Sequence, residues 1–209
     1  MTGGRAITGV VALAAVALAG CASPPLGVST HSAASTRSSA PSPKSKFVFS
    51  GSSGPVHTIS TPAQLDSYAR NPSLEKELNV NGLGEQVVNG SSDRASDVLS
   101  AVYAQGNVTP GAGGNPQIFM FVGGHLANGD PAASIASFEQ AYPSAQVVSA
   151  GSLGGEAACV TTTANKKSGA MCVWFDNDSF GTLVSPTMST AKLANTLDIV
   201  RPGIERVGH

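Results

Sequence analysis

The sequence lacks the short motifs by which many catalytic and cofactor sites are recognised. It has no Gly-x-Ser-x-Gly elbow for a nucleophilic serine, and its glycine-rich run at Gly151–Gly155 has no lysine for a phosphate loop. The four histidines are scattered, without the spacing of a metal site: His31, His57, His125 and His209. From motifs alone we predict no catalytic residues, no cofactor and no metal ion.

Basic residues are also too few to favour nucleic-acid binding. The chain has 12 Lys and Arg against 13 Asp and Glu, which gives a formal net charge of −1. Residues 47–209 contain eight of the basic residues and all the acidic ones, so this part carries 8 − 13 = −5. Domains that bind nucleic acid are typically basic. We therefore predict no nucleic-acid partner.

The chain contains no apolar run long enough to span a bilayer, which takes about 20 residues. Its N-terminal apolar run, Val10–Ala19, is too short and follows Arg5. A short positive region, an apolar core and a small-residue cleavage site define a secretory signal peptide. We place this signal peptide at residues 1–20.

The apolar run ends in Leu18-Ala19-Gly20-Cys21. This stretch resembles the lipobox of bacterial lipoproteins, in which cleavage leaves the cysteine as the lipid-bearing first residue. The resemblance implies that Cys21 is acylated, and that the protein is anchored to the extracytoplasmic face of the bacterial cell membrane by chains that hold it firmly. The alternative is an ordinary secreted protein whose cysteine falls at this position by chance.

Residues 21–46 have the composition of a disordered linker rich in Ser, Pro and Ala. The linker has no acidic residue, and Leu26 and Val28 are its only large apolar positions. Such a stretch buries too little apolar surface to offset the entropy cost of ordering. The predicted organisation is a signal peptide at 1–20, a linker at 21–46 and a single extracytoplasmic domain at 47–209.

Two strand-like runs, Glu156–Thr163 and Ala170–Asp176, are joined by a polar segment that ends in glycine, which predicts a hairpin. Pairing centred on the loop brings Cys159 opposite Cys172, at a separation close to that of a disulfide. With Cys21 lipidated, an even pair of cysteines remains, as expected outside the reducing cytosol. The alternative is two buried free thiols.

The hairpin is predicted to continue as a meander. The sequence Asp176-Asn177-Asp178-Ser179 predicts the next turn, and Phe180–Val184 predicts a third strand. Trp174 follows Cys172 by two positions, so we expect it on the same face as the bridge. This makes Trp174 a core aromatic residue.

Capping residues indicate four helix starts. Thr61-Pro62 and Asn71-Pro72 each offer an N-cap followed by proline at the first helical position. Asp130 and Ser189 are predicted to cap two further helices. The last helix contains Pro202, which is predicted to kink or end it.

The remaining signals complete the predicted fold. Asn79–Gly84 is predicted to stop the second helix. Gln117–Val122 is predicted to form a buried strand. The pattern of Asp97–Gln105 fits either a helix end or a strand. Short connections favour antiparallel pairing. The predicted fold class is α+β: an antiparallel β-sheet of about five strands, with helices packed on one face and one disulfide-stapled hairpin.

Two partial motifs are explained better by structure than by chemistry. Ser189-Thr-Ala-Lys192 matches the Ser-x-x-Lys pattern of penicillin-recognising enzymes, but the other motifs of those enzymes are missing or out of order. Asp176 and Asp178 resemble the start of a calcium loop, but Phe180 occupies a position that needs a ligand. A helix cap and a turn explain these residues. His125, at a strand end, is the histidine best placed for catalysis.

Residues 95–207 resemble a group of actinobacterial lipoproteins and membrane-anchored proteins of unknown function. Their C-terminal region reads approximately Gly-Gly…Cys…Cys-x-Trp…Asp…Gly, followed by a helix with Arg and Glu near its end. The corresponding residues here are Gly154, Gly155, Cys159, Cys172, Trp174, Asp176, Gly181, Arg201 and Glu205. Pro202 departs from the family helix. The resemblance implies a fold and a location, but no reaction.

Together these features predict a non-catalytic, lipid-anchored extracytoplasmic module that binds an envelope protein, a wall polymer or a small ligand. The alternative is a cell-surface enzyme of the hydrolase type, with a site that no motif marks. A deep polar pocket that holds His125 together with a carboxylate would favour the enzyme. A shallow apolar patch would favour the binding module.

Overall fold

A computed structural model describes residues 56–90, 95–106, 108, 116–164 and 167–208. The predicted signal peptide, Cys21, the predicted linker and the start of the predicted domain, at 47–55, lie outside these residues. Within the described ranges, none of the helices combines the length and the apolar character needed to cross a membrane.

The described residues form ten strands and four helices. The strands are β1 (His57–Ile59), β2 (Gln64–Leu65), β3 (Tyr68–Arg70), β4 (Ala95–Gln105), β5 (Ile118–Leu126), β6 (Gln146–Val148), β7 (Glu156–Ala164), β8 (Lys167–Phe175), β9 (Ser179–Ser185) and β10 (Glu205–Val207). The helices are α1 (Pro72–Glu77), α2 (Val80–Gly90), α3 (Pro131–Ala141) and α4 (Thr190–Ile204).

The strands form two antiparallel sheets, which confirms the α+β class. One sheet has eight strands in the order β2-β3-β4-β5-β9-β8-β7-β6, and the other pairs β1 with β10. The prediction of about five strands is therefore wrong. The strands that it missed are short ones, β2, β3 and β10, which have only two or three residues and no periodic pattern to reveal them.

Helices cover both faces of the large sheet, so the prediction of helices on one face is also wrong. The central strands bury successive residues instead of alternate ones, and each face therefore needs its own cover. On one face α4 packs Leu193, Leu197, Val200 and Ile204 into the core. On the other face α1, α2 and α3 contribute Leu74, Val80, Leu83, Ile135 and Phe138.

The segment that begins at Thr61-Pro62 is a hairpin and not the predicted helix. Strands β2 and β3 pair Leu65 with Tyr68, and both side chains are buried in the core beneath α4. Asp66 makes the tight turn with a φ of 51°, a left-handed conformation that Asp tolerates. Burial of the two apolar side chains on one face of the hairpin therefore overrides the capping signal.

The other three predicted caps are confirmed. The side chain of Asn71 accepts a hydrogen bond from the backbone N–H of Leu74 at 3.1 Å. Asp130 caps α3 by accepting from Ala133 at 3.0 Å, and Ser189 caps α4 in the same way. Each cap satisfies one backbone donor that the first turn of a helix leaves free.

The second predicted helix ends at Leu78, as expected, because Leu78 is the C-cap of α1 and Asn79 has a φ of 50°. The chain then becomes helical again, which was not predicted: α2 starts at Val80 and buries Val80 and Leu83 three positions apart on one face. Helix α4 does not end at Pro202 but continues to Ile204, which is fully buried. Tertiary packing thus outweighs the intrinsic preference of Gly and Pro at both places.

The predicted disulfide is confirmed. Cys159 and Cys172 are directly opposed in the register of β7 and β8, and their Cα atoms are 4.1 Å apart across the bridge. Trp174 packs in the same core as both cysteines, as its two-residue offset predicted. The meander β7-β8-β9 is therefore held covalently at its centre.

A thiol titration tests the bridge. We expect the intact mature protein to show no titratable thiol under denaturing, non-reducing conditions, because Cys159 and Cys172 are bonded and Cys21 is predicted to be lipidated. Replacing both core cysteines by alanine should lower the free energy of unfolding by about 3 kcal/mol, since the bridge closes a loop of 13 positions. Two titrating thiols in the unreduced protein would contradict the assignment.

Candidate functional site

The described part of the chain contains one concentrated cluster of charged and polar side chains, which are buried except for the half-buried Asp178. We call it the Arg201 cluster, and its members are His57, Asp176, Asp178, Ser179, Arg201 and Glu205. They come from β1, from the turn after β8 together with the first residue of β9, from the last turn of α4 and from the start of β10. The cluster therefore joins four segments at one end of the large sheet.

Arg201 lies at the centre of the cluster, with 1% of its side chain exposed. Its Nε donates to Glu205 Oε2 at 2.7 Å, and its Nη2 donates to Asp176 Oδ2. Its Nη1 donates to the carbonyl oxygens of Ala150 and Gly154, the latter at 2.8 Å. Every nitrogen of the guanidinium thus has an acceptor, as a buried cation requires.

Glu205 is the second fully buried charge, and its carboxylate is also satisfied. Its Oε2 accepts from Arg201 and from the indole Nε1 of Trp174, the latter at 3.0 Å, while its Oε1 accepts from the hydroxyl of Ser179. The guanidinium carbon of Arg201 lies 5.6 Å from the centroid of the Trp174 ring, within the range of a cation–π contact. Trp174 therefore contacts both partners of the ion pair.

Two glycines make room for this arrangement. Gly155 has a φ of +75°, and a Cβ there would collide with the carboxylate of Asp176. Gly181 lies opposite Trp174 in the register of β8 and β9, and a Cβ there would enter the indole ring. The close approach of backbone and side chain therefore excludes any larger residue at either position.

The residues that carry the resemblance to the actinobacterial lipoproteins lie together in the fold. The carbonyl of Gly154 accepts a hydrogen bond from Arg201, Gly155 lies against Asp176, and Gly181 lies against Trp174. Arg201 and Glu205 are members of the Arg201 cluster, and the disulfide packs in the same core as Trp174. Comparison of the chain with family models, curated proteins and solved structures found no match. The resemblance stays a prediction, and the cluster must be interpreted from its own chemistry.

Asp178 holds β1 in place. Its Oδ2 accepts from the backbone N–H of His57 at 2.8 Å, and its Oδ1 lies 2.6 Å from His57 Nδ1. Burial raises the pKa of the Asp178 carboxyl, but the hydrogen bonds from His57 outweigh burial and bring the pKa below its ordinary value. Because the ionised carboxylate can only accept, Nδ1 of His57 carries the hydrogen.

The Arg201 cluster also contains a set of groups that could ligate a metal. His57, Asp176 and Glu205 each place one potential ligand atom within 4.8 Å of the others. Burial raises the pKa of the Asp176 carboxyl above its ordinary value, and Arg201 acts in the opposite direction. Since Arg201 donates to both carboxylates, a metal ion would have to displace a buried guanidinium. The cation that this site fits is Arg201 itself.

The other candidate residues from the sequence lie apart from the cluster or have structural roles. His125 is half-buried on β5, opposite Ser96 and Ser179, and none of the described hydrogen bonds or ion pairs joins it to a carboxylate. Ser189 caps α4, as predicted. The turn from Asp176 to Ser179 is also confirmed, because the backbone N–H of Asp176 donates to the Ser179 carbonyl at 2.8 Å.

Sequence reasoning did not predict the Arg201 cluster, although one signal points to it. Arg201 lies four positions after Leu197 and three before Ile204, on the apolar face of α4. A charged residue on such a face needs a buried partner, and Glu205 four positions on is the nearest candidate. Nothing local marks His57 or Ser179 as further members.

Replacing Arg201 by methionine tests the structural role of the cluster. The substitution keeps much of the side-chain volume but leaves Asp176 and Glu205 buried without their cation, so the free energy of unfolding should fall by about 3–5 kcal/mol. The control is Arg206→Met, which alters an exposed arginine in β10 and should change the stability by no more than about 0.5 kcal/mol. Equal effects in denaturant unfolding would contradict the assignment.

The pH dependence of the stability of the Asp178→Asn variant tests the contact between the Asp178 carboxylate and His57. Because the native pKa of Asp178 is lowered, its carboxylate stabilises the fold above the unfolded-state value of about 4, and this contribution disappears as the pH falls through the native pKa. Wild type should therefore exceed the variant in stability at about pH 7, and the difference should shrink in acid. Asp178 is 30% exposed, so screening keeps the difference modest.

The control for this measurement is Asp198→Asn, which changes an exposed aspartate in the middle of α4. A stability difference between wild type and Asp178→Asn that stays constant from neutral to acidic pH would show that the carboxylate of Asp178 does not act through its charge.

Proposed function

We propose that the protein is a lipid-anchored extracytoplasmic module of the bacterial cell envelope that binds a partner and does not catalyse a reaction. Acylation of Cys21 fixes the chain to the membrane, and residues 21–46 form the tether that carries the domain. The support for the anchor is the Leu18-Ala19-Gly20-Cys21 stretch after the apolar run at Val10–Ala19, together with the resemblance to actinobacterial lipoproteins.

The single observation that favours binding over catalysis is the burial of the Arg201 cluster. A general acid or base has to reach a proton of the substrate within hydrogen-bond distance. Arg201 and Glu205 have at most 1% of their side chains exposed, and their charges are used to join segments of the fold. The Arg201 cluster is the main concentration of reactive side chains among the described residues, and its charged groups therefore serve to hold the fold together.

One observation favours the alternative, a cell-surface enzyme of the hydrolase type. His57 receives its orientation from Asp178, and its Nε2 has no hydrogen-bond partner among the described residues, an arrangement that a general base would use. The same Nε2 is buried, however, and the side chain of His57 is only 9% exposed. A substrate would not reach it without opening β1, so we rank this function second.

The proposed partners are an envelope protein, a wall polymer or a small ligand. The formal charge of −5 on residues 47–209 disfavours a nucleic acid, because binding to phosphates needs basic residues. An acidic module is better suited to partners that carry positive charge or no charge.

Lipidation and partner capture are tested together with a Cys21→Ser variant in the native envelope. We expect wild type to incorporate a fatty-acid label and to crosslink to partners, and Cys21→Ser to lose the label and most of the captured material. Ser29→Ala, a change in the predicted linker, is the matched control and should behave as wild type.

Two results would overturn this proposal. An equal fatty-acid label on the Cys21→Ser chain would rule out Cys21 as the lipidated residue. Recovery of the same partners at equal yield from both chains would show that anchoring does not serve partner capture.

A further inference from the structure

A groove of about 540 Å³ lies between α2 and β4, apart from the Arg201 cluster. Its volume is within the range of small-ligand pockets, roughly 300–1,000 Å³. Helix α2 and strand β4 supply its walls through Asn81, Gly84, Glu85, Val98, Leu99 and Ser100. It shares no residue with the Arg201 cluster, so its chemistry is separate.

The helical wall of the groove follows from residue spacing. Asn81, Gly84 and Glu85 lie three and four positions apart, and therefore share one face of α2. Gly84 has no side chain, and a Cβ added there would approach Val98 Cγ1 at 3.5 Å, an ordinary contact distance. The floor of the groove is thus open because a glycine faces the strand at this point.

The strand wall begins directly after a β-bulge. In the register of β4 with β5, Ser96 pairs with His125 and Leu99 pairs with Gly123, so β4 has one extra residue between the two pairs. Val98 and Ser100 face α2 from the same side of β4, since a Cβ at Gly84 would lie 3.5 Å from Val98 Cγ1 and 3.9 Å from Ser100 Oγ. Leu99, which lies between them, is 37% exposed and also lines the groove.

Two backbone features maintain the bulge. Asp97 adopts a φ of 50°, in the left-handed region. Gly124 faces the bulge from β5, and a Cβ there would lie 2.7 Å from the carbonyl oxygen of Ser96 and 3.0 Å from Val98 Cα. The bulge is therefore built into both strands, and such irregularities commonly re-aim side chains at functional sites.

The positive charge at the end of the groove is already compensated. Arg70 donates to Glu75 from Nε at 2.7 Å and from Nη2 at 3.1 Å, a bidentate pair. Its Nη1 donates to the hydroxyl of Thr61 at 3.1 Å. Arg70 therefore closes the groove as a fixed polar wall instead of offering a free cation.

Among the described residues, no basic side chain compensates the negative charge of Glu85. Glu85 is exposed at the groove and has no ion pair or hydrogen bond with another described side chain. Beside it, Ser100 Oγ donates to Asn81 Oδ1 at 3.2 Å, which leaves the amide N–H groups of Asn81 available to a ligand. The groove thus combines one free carboxylate, one amide and two apolar side chains.

We propose that this groove binds a small organic cation, with its ammonium group beside Glu85 and its apolar part against Val98 and Leu99. The inference deepens the binding function proposed above and rests on it. A carboxylate next to apolar surface favours an ammonium group over a neutral or anionic group of the same shape.

Three probes of matched shape test the charge requirement: cyclohexylmethylamine, cyclohexylmethanol and cyclohexanecarboxylate. Binding to the full chain in detergent is followed by saturation-transfer NMR and competition titration. We expect the amine to bind at least about tenfold more tightly than the alcohol, and the carboxylate not to bind. Equal affinity for amine and alcohol would overturn the proposal.

Two substitutions locate the site. Glu85→Gln keeps the shape of the side chain and should weaken amine binding about tenfold. Gly84→Ala places a methyl group in the floor at a tolerated distance, and should abolish binding while the protein stays folded. Glu77→Gln, at an exposed glutamate of α1, is the matched control and should bind the amine as wild type does. Unchanged binding in both groove variants would place the cation elsewhere and overturn the proposal.

The outcomes also separate this inference from the proposed function. If none of the probes binds but partners are still captured from the envelope by the anchored protein, the groove proposal fails and the binding module stands. If the amine binds at the groove and no envelope partner is captured, the groove proposal holds and the role of the anchor in partner capture fails.

Discussion

The buried guanidinium of Arg201 is the interaction on which the arrangement of this fold depends. A cation that is removed from water must find acceptors for its N–H groups, and Arg201 finds them on the Ala150–Gly154 loop, on Asp176 and on Glu205. Desolvation offsets much of the Coulombic gain of such a pair. The main consequence is therefore geometric, because these acceptors fix the position of the last turn of α4 against the sheet.

One face of β8 and of the turn after it connects the ion pairs of Arg201 to the disulfide. Cys172 and Trp174 lie on β8 and Asp176 lies in the turn, at intervals of two residues, so their side chains project toward α4. The disulfide fixes β8 to β7 at Cys172, and Arg201 fixes Asp176 to α4. Between these two positions, Trp174 Nε1 and Arg201 Nε both donate to Glu205 Oε2. Strand β8 and the turn that follows it thus carry covalent, aromatic and ionic contacts of the domain in sequence.

Local chemistry was predictable from the sequence, and long-range packing was not. The hairpin of Cys159 and Cys172 and the cap at Asp130 depend on residues close in sequence, and both are confirmed. Helix α2 was missed because its glycines argue against a helix, whereas the burial of Val80 decides in its favour. The two-sided cover of the sheet was missed for a related reason, since an apolar strand does not reveal which helix will pack on which face.

The Arg201 cluster could not be predicted from the sequence, because its members come from distant parts of the chain. His57 meets Asp178 across 121 positions of sequence, and no periodicity or spacing relates two residues so far apart. A scattered set of Trp, Asp, Arg and Glu invites interpretation as a catalytic or ligand-binding constellation. In this fold the same set is buried and its charges are directed at one another, so the pattern marks the groups that position α4. The groove beside α2 involves none of these residues, and its exposed carboxylate lies next to apolar side chains.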